Sequence, residues 1–193
     1  MSRLSLRIIG ASALALGAMA GTAGARPAST GFFAEGGLDV MKFLSPGAAS
    51  AAAGPGIDLR VGRDLFSWLS VGGYVAGSTH EATTPPPPSG QFFQLYRAGA
   101  DGRLSIPAGP IAIFGEGGFG LSMISSNILD RVHITTPGKS FSATIHGGGG
   151  IEWQLENRHY AIGAASDLII EPSFNSLKAL ETRLYLRYTY GGG

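Results

Sequence analysis

The sequence predicts an all-β fold: an eight-stranded antiparallel up-and-down transmembrane β-barrel, preceded by a signal peptide. Three observations predict it. Apolar residues recur with period two in eight successive segments. Within those segments the charged residues fall on one face of the ribbon. The connections alternate long and short, as in a meander with tight turns on one side of a bilayer and long loops on the other. Composition agrees with this fold. Charged residues make up 14% of the 193 positions, against roughly 25% in an ordinary soluble domain. A net charge of +1 excludes the basic surface of a nucleic-acid binder. The absence of cysteine excludes disulfides, thiolate zinc sites and thiol chemistry.

The first 25 residues read MSRLSLRIIGASALALGAMAGTAGA. Arg3 and Arg7 form a positive start, an apolar stretch follows, and Ala23-Gly24-Ala25 supplies the small residues of a cleavage site. This is the pattern of a secretory signal peptide cut after Ala25. The apolar stretch is too short for a spanning helix, which needs about 20 residues. The mature domain is expected over 26–193.

The strands follow in order. The first is expected over 32–41, with Glu35 and Asp39 opposite Leu38 and Val40. The second covers 56–62, with Asp58 and Arg60 opposite Ile57, Leu59 and Val61. It is short, and its upper end can run back into the Ala-rich stretch at 50–53. The third covers 68–78, with Ser70, Tyr74 and Ser78 opposite Leu69, Val71 and Val75. The fourth, 92–106, sets Arg97, Asp101 and Arg103 against Phe92, Tyr96, Leu104 and Ile106. The fifth, 111–123, sets Glu116 against Ile111, Ile113, Phe119 and Leu121. The sixth, 141–155, sets His146 and Glu152 against Phe141, Ile145, Ile151 and Trp153. The seventh, 159–170, sets Asp167 against Tyr160, Ile162, Leu168 and Ile170. The eighth, 179–190, separates Glu181, Arg183 and Arg187 from Leu184, Leu186, Tyr188 and Tyr190. Crossing a bilayer at a tilt takes about 9–11 residues.

The turns on one side are expected at Arg63-Asp64-Leu65, Pro107-Ala108-Gly109 and Glu156-Asn157-Arg158. The other side carries three long connections and, between the seventh and eighth strands, one of medium length; the second long one contains four consecutive prolines at 85–88. Prolines lack the donor that a sheet interior needs. Closure into a barrel removes the edge of unpaired backbone groups that lipid cannot satisfy. Eight strands enclose a lumen wide enough for side chains alone.

The charged face then lines that lumen: Glu35, Asp39, Asp58, Arg60, Arg97, Asp101, Arg103, Glu116, Glu152, Asp167, Glu181, Arg183 and Arg187, with His146 and His159 beside them. Buried charges must pair, so a network is expected, with Arg97, Arg103, Arg183 and Arg187 as hubs. Trp153, Tyr160, Tyr188 and Tyr190 fall at the turn-side ends of the lipid face, where an interfacial aromatic belt belongs. Phe92 and Phe141 are placed for the opposite belt.

Candidate chemistry is sparse. A tight turn after the sixth strand, with partner numbers summing to about 313, would set His146 opposite Asp167, with Ser142 and Ser122 as nearby hydroxyls. A Ser-His-Asp arrangement supports acyl transfer. Ser142 nevertheless lies four residues from His146, about 13 Å along a strand, so a structural His–Asp pair is the preferred reading. His80 with Glu81, and His133 with Asp130, fall in loops and match no ligand spacing, so they are taken as solvated loop residues. The glycine runs at 115–120 and 147–150 lack the Lys-Ser/Thr and helix of a phosphate loop.

The final strand, RLYLRYTY, resembles the closing strand of bacterial outer-membrane barrels. Leu184, Leu186, Tyr188 and Tyr190 match its alternation and its aromatic end, and Gly191-Gly192-Gly193 departs from it by extending beyond the aromatic. At the level of architecture the chain is similar to small outer-membrane barrels of the OmpA-like transmembrane-domain and OmpW-like type. The resemblance implies an outer-membrane location in a Gram-negative-type bacterium, contact with outer-membrane lipid, and insertion by the barrel-assembly machinery. No C-terminal peptidoglycan-binding domain is expected. It leaves open a structural or surface-interaction role with extracellular partners at the loops, a narrow porin-like conduit, or a lipid hydrolase using His146. The first is preferred: a non-enzymatic barrel with a charge-filled lumen, without cofactor or metal.

Overall fold

The computed structural model describes residues 30–44, 48, 51–83, 91–125, 140–156 and 159–191. The signal-peptide reading, the proline run, and His133 with Asp130 lie outside the described residues. Eight strands, β1 (Gly31–Phe43), β2 (Gly54–Phe66), β3 (Leu69–Glu81), β4 (Phe92–Ala108), β5 (Ile111–Ile124), β6 (Phe141–Gln154), β7 (Tyr160–Glu171) and β8 (Leu177–Gly191), form one closed barrel in chain order. Every neighbouring pair is antiparallel, and β1 closes on β8 with Gly31 opposite Gly191 and Phe43 opposite Ala179.

Period two carries through to three dimensions. Buried residues alternate with exposed ones along each strand, and the buried set is the charged one. Leu38, Ile57, Val61, Leu104, Phe119, Leu121, Leu184 and their neighbours stand exposed on the outside. In water an exterior of this kind would collapse or aggregate. In lipid it is the stable arrangement, because closure leaves no strand edge unpaired and the charges face inward. The chain is a transmembrane barrel.

The structure corrects several local expectations. First, β2 is long. It extends upward to Gly54 and downward through the expected Arg63-Asp64-Leu65 turn, so that Asp64 pairs with Ser70 and a bulge falls between Asp64 and Phe66. The chain reverses at Ser67-Trp68 instead. The cause is the Asp64 side chain, which continues the inward alternation of Asp58 and Arg60 and accepts a 2.5 Å hydrogen bond from Ser70. Second, the β6–β7 turn is wider than expected. It closes through a Leu155 N–H donated to the Tyr160 carbonyl. Gly148 therefore faces Asp167, and His146 faces Ile169. Third, the connection after β7 is tight. Glu171 ends one strand and Leu177 starts the next. Between them Asn175 and Ser176 take left-handed backbone angles (φ 52° and 55°), and Phe174 folds into the lumen mouth.

The β4–β5 turn is tighter than the expected Pro107-Ala108-Gly109: Pro107 and Ala108 belong to β4, and the chain reverses at Gly109-Pro110. Ala108 pairs with Ile111, and Gly109 supplies a φ of 65° that most side chains avoid. The two glycine runs face each other inside β5 and β6, with Gly115 opposite Gly149 and Gly117 opposite Gly147.

Candidate functional site

The candidate site is the lumen, and it is built in tiers. Nearest the short turns, the Arg187 guanidinium stacks on the Phe33 ring at 3.8 Å and pairs with Asp64. Above it, Arg103 lies over the Phe114 ring at 4.2 Å. Its donors reach Glu35 at 3.0 Å, Glu116 at 3.1 Å and Glu152 at 3.3 Å. The Tyr185 hydroxyl donates to Glu152 at 3.3 Å. The ring of Tyr185 has room because Gly163 faces it: a Cβ there would come within 2.2 Å.

The middle tier holds two more arginines. Arg60 donates to Asp58 at 2.9 Å and to Asp101 at 2.5 Å. Arg183, 1% exposed, contacts Glu116 at 2.5 Å and Asp167 at 2.6 Å. Glu116 thus touches Arg60, Arg103 and Arg183, and Glu35 lies within 4.0 Å of Arg60, Arg103, Arg183 and Arg187. These two glutamates, with Arg103 and Arg183, are the hubs. Arg60 joins them, although the sequence reading left it out of the hub set. Arg97 sits higher and pairs with Glu181.

His146 is not paired with Asp167. Its ring meets the Tyr74 ring edge-on at 5.0 Å, while Arg183 holds Asp167. The serine candidates are committed elsewhere. Ser142 donates to the Ala143 carbonyl at 2.7 Å and accepts from the Ser173 N–H at 3.1 Å, and Ser122 donates to the Ser142 carbonyl at 3.4 Å. No Ser-His-Asp unit forms on His146. His159 is exposed at the turn end, bonded to the Thr189 carbonyl and beside Tyr188, so it does not join the lumen network.

His80 is the larger correction. It is not a solvated loop residue. It points inward from the end of β3, 0% exposed, between Phe43 and Phe93 at ring distances of 4.5 and 5.4 Å. Its Nδ1 donates to the Ala52 carbonyl at 3.1 Å, which leaves Nε2 to accept from the Ser78 hydroxyl at 2.9 Å. Around it Met41, Phe43, Phe93, Leu95, Ile124, Ile169, Phe174 and Leu177 form one apolar cluster across the long-loop mouth. The lumen therefore has two seals, a salt-bridge network below and an apolar plug above. A void of about 10 Å³ lined by Phe33, Arg60, Ser70, Asp101, Arg103 and Arg187 is room for about one water.

Several members were missed from sequence. Asp64 was read as turn and Glu171 as loop, yet both are buried in the lumen. Phe33, Phe43 and Phe93 lie on the charged face by simple parity, but apolar residues there carried no signal of their own. Among the described residues, no group of three or more acidic or histidine side chains is arranged to hold a metal. Of the belt residues, Trp153, Tyr160, Tyr188 and Tyr190 are exposed on the lipid face near the short turns, and Phe92 and Phe141 are exposed near the long loops. Phe32, and the stacked Phe66 and Trp68, add to the turn-side girdle.

No family model matches the chain, and no curated protein matches it in sequence. Solved structures do share its fold. Neisserial surface protein A superposes with a TM-score of 0.61 at 14% identity, covering 82% of this chain and 97% of that one. The outer membrane protein OprG from Pseudomonas aeruginosa superposes with a TM-score of 0.57 at 13% identity, covering 84% and 97%. This chain thus has the fold of the small outer-membrane barrels, with an interior salt-bridge network.

Proposed function

We infer that the protein is a non-enzymatic barrel of the Gram-negative outer membrane, a rigid envelope component that presents its long loops to the outside. The observation that carries this reading is the double seal. The lumen is spanned by the Arg60–Arg103–Arg183–Glu116–Glu35 network and capped by the plug around Phe43, Phe93 and Phe174. A conduit would need a continuous wet path, and each seal interrupts it. A hydrolase would need a nucleophile in reach of lipid. The Ser78–His80 pair has a nucleophile-and-base arrangement, but Ser78 is 3% and His80 0% exposed. Outer-membrane placement is supported by the apolar exterior and the turn-and-loop alternation, and insertion by the barrel-assembly machinery follows from that placement.

Single-channel recording in a planar bilayer tests the reading. Folded protein, identified by heat-modifiable gel mobility, is expected to stay electrically silent, and steady conductance would overturn the sealed lumen. A parallel assay for acyl release from outer-membrane lipid is expected to give no turnover. Turnover that disappears in Ser78→Ala or His146→Ala would instead establish an enzyme.

A further inference from the structure

The lipid-facing surface is not uniform. Near the long-loop end, Leu38 of β1, Ile57 of β2, Gly77 of β3 and Tyr96 of β4 stand in one row across the sheet. Gly77 has no side chain, so a groove of about 430 Å³ opens between Ile57 and Tyr96. The Tyr96 ring leans over the gap, 3.3 Å from where a Cβ on Gly77 would sit. At the loop-side end of the groove, Thr79 and Gln94 face each other across β3 and β4 and offer a hydroxyl and a carboxamide. An apolar slot with a hydrogen-bonding end toward the membrane surface has the polarity of an acyl chain and its carbonyl linkage.

Charge adds a second observation. Lys42 and Lys178 are both exposed on the outer face at the loop ends of β1 and β8. Lys42 pairs opposite Leu180, so Lys178 is its diagonal neighbour, with side-chain roots roughly 7–8 Å apart. Lys42 also lies four residues beyond Leu38 on the strand that walls the groove, about 13 Å toward the loops. The described arginines are spent in the lumen or near the short turns, so these two ammonium groups stand at headgroup height on this side.

We propose that this face is a binding site for one phosphorylated, multiply acylated glycolipid of the outer leaflet, a lipopolysaccharide. Its phosphate sits on Lys42 and Lys178. One of its acyl chains lies along Gly77 between Ile57 and Tyr96, with the linkage carbonyl at Thr79 or Gln94. A single-headed phospholipid can satisfy the slot or the lysine pair, and only a wide headgroup bridges both.

Native mass spectrometry of the full chain refolded into vesicles tests this without reference to where the protein resides. One set of vesicles contains lipopolysaccharide and another phosphatidylglycerol, which carries a phosphate but a small headgroup. Wild type is expected to retain one lipopolysaccharide through detergent release, and at least tenfold less phosphatidylglycerol. The Lys42→Ala/Lys178→Ala variant is expected to lose about tenfold in lipopolysaccharide retention, as is Gly77→Leu, which fills the slot. Should Gly77→Leu disturb the strand, the Thr79→Val/Gln94→Leu variant changes only the polar end and is expected to show a smaller loss. Equal retention of the two lipids, no retained lipopolysaccharide on wild type, or undiminished retention in the double lysine variant would each overturn the proposal.

Discussion

Arg183 is the residue on which the middle of the lumen depends. Replacing it with Ala leaves Glu116 and Asp167 without their nearest cation in a buried site, and breaking a buried pair from one side costs about 3–5 kcal/mol. Urea unfolding in lipid vesicles is expected to show that loss. Asp39 is the counter-case. It is buried, and it faces Arg183 across the seam, yet neither of its carboxylate oxygens meets a donor among the described residues. The described lumen also holds more carboxylates than the five arginines can match. Asp39→Asn removes a charge without removing a hydrogen bond, so it is expected to leave stability unchanged or raise it in the same assay. A clear loss would show that the carboxylate is needed.

At the level of the strand, the packing of Tyr185 against Gly163 joins β7 to β8 from the inside. Gly163→Val forces the ring away from Glu152 and Arg103 and is expected to destabilise by about 1–3 kcal/mol as an overpacked core site. Combining it with Tyr185→Leu should recover part of the loss, which equilibrium unfolding of the double variant would measure. Strands were also the level most readable from sequence. Alternation located all eight and put every acid and arginine of the expected lumen set on the inner face, because burial in a barrel wall follows parity alone. Turns were less readable. The composition around Asp64 predicts a turn, and its inward role depends on Arg187, which is 123 positions away in sequence. The β6–β7 register slipped because turn width is set by local backbone hydrogen bonds that side-chain pattern does not encode, and with it went the His146–Asp167 pair. The plug was invisible for a different reason. Phe43, Phe93 and Phe174 come from separate segments, and nothing local shows that three aromatics meet at one mouth.

For the whole barrel, the two seals predict how it responds to its surroundings. Its ion pairs are buried, so salt screens them weakly. The unfolding midpoint is expected to change little between low and high salt, whereas a surface network would weaken. Removing the upper seal alone, with Phe43→Ala/Phe93→Ala/Phe174→Ala, is expected to lower stability while leaving the bilayer recording silent, because the network beneath still blocks the path. The network is also a stiffener. Glu116 and Glu35 between them gather arginines from β2, β4 and β8, so opposite walls are tied through the interior as well as around the circumference.

The seam between the first and last strands places Gly31 beside Gly191 on the short-turn side. Closure pairs the first and last strands as it pairs every other neighbouring pair of strands. A circular permutant that bridges those two glycines with a short flexible linker and opens instead at Gly109, where the backbone already turns in the open, should insert and close with the same interior contacts.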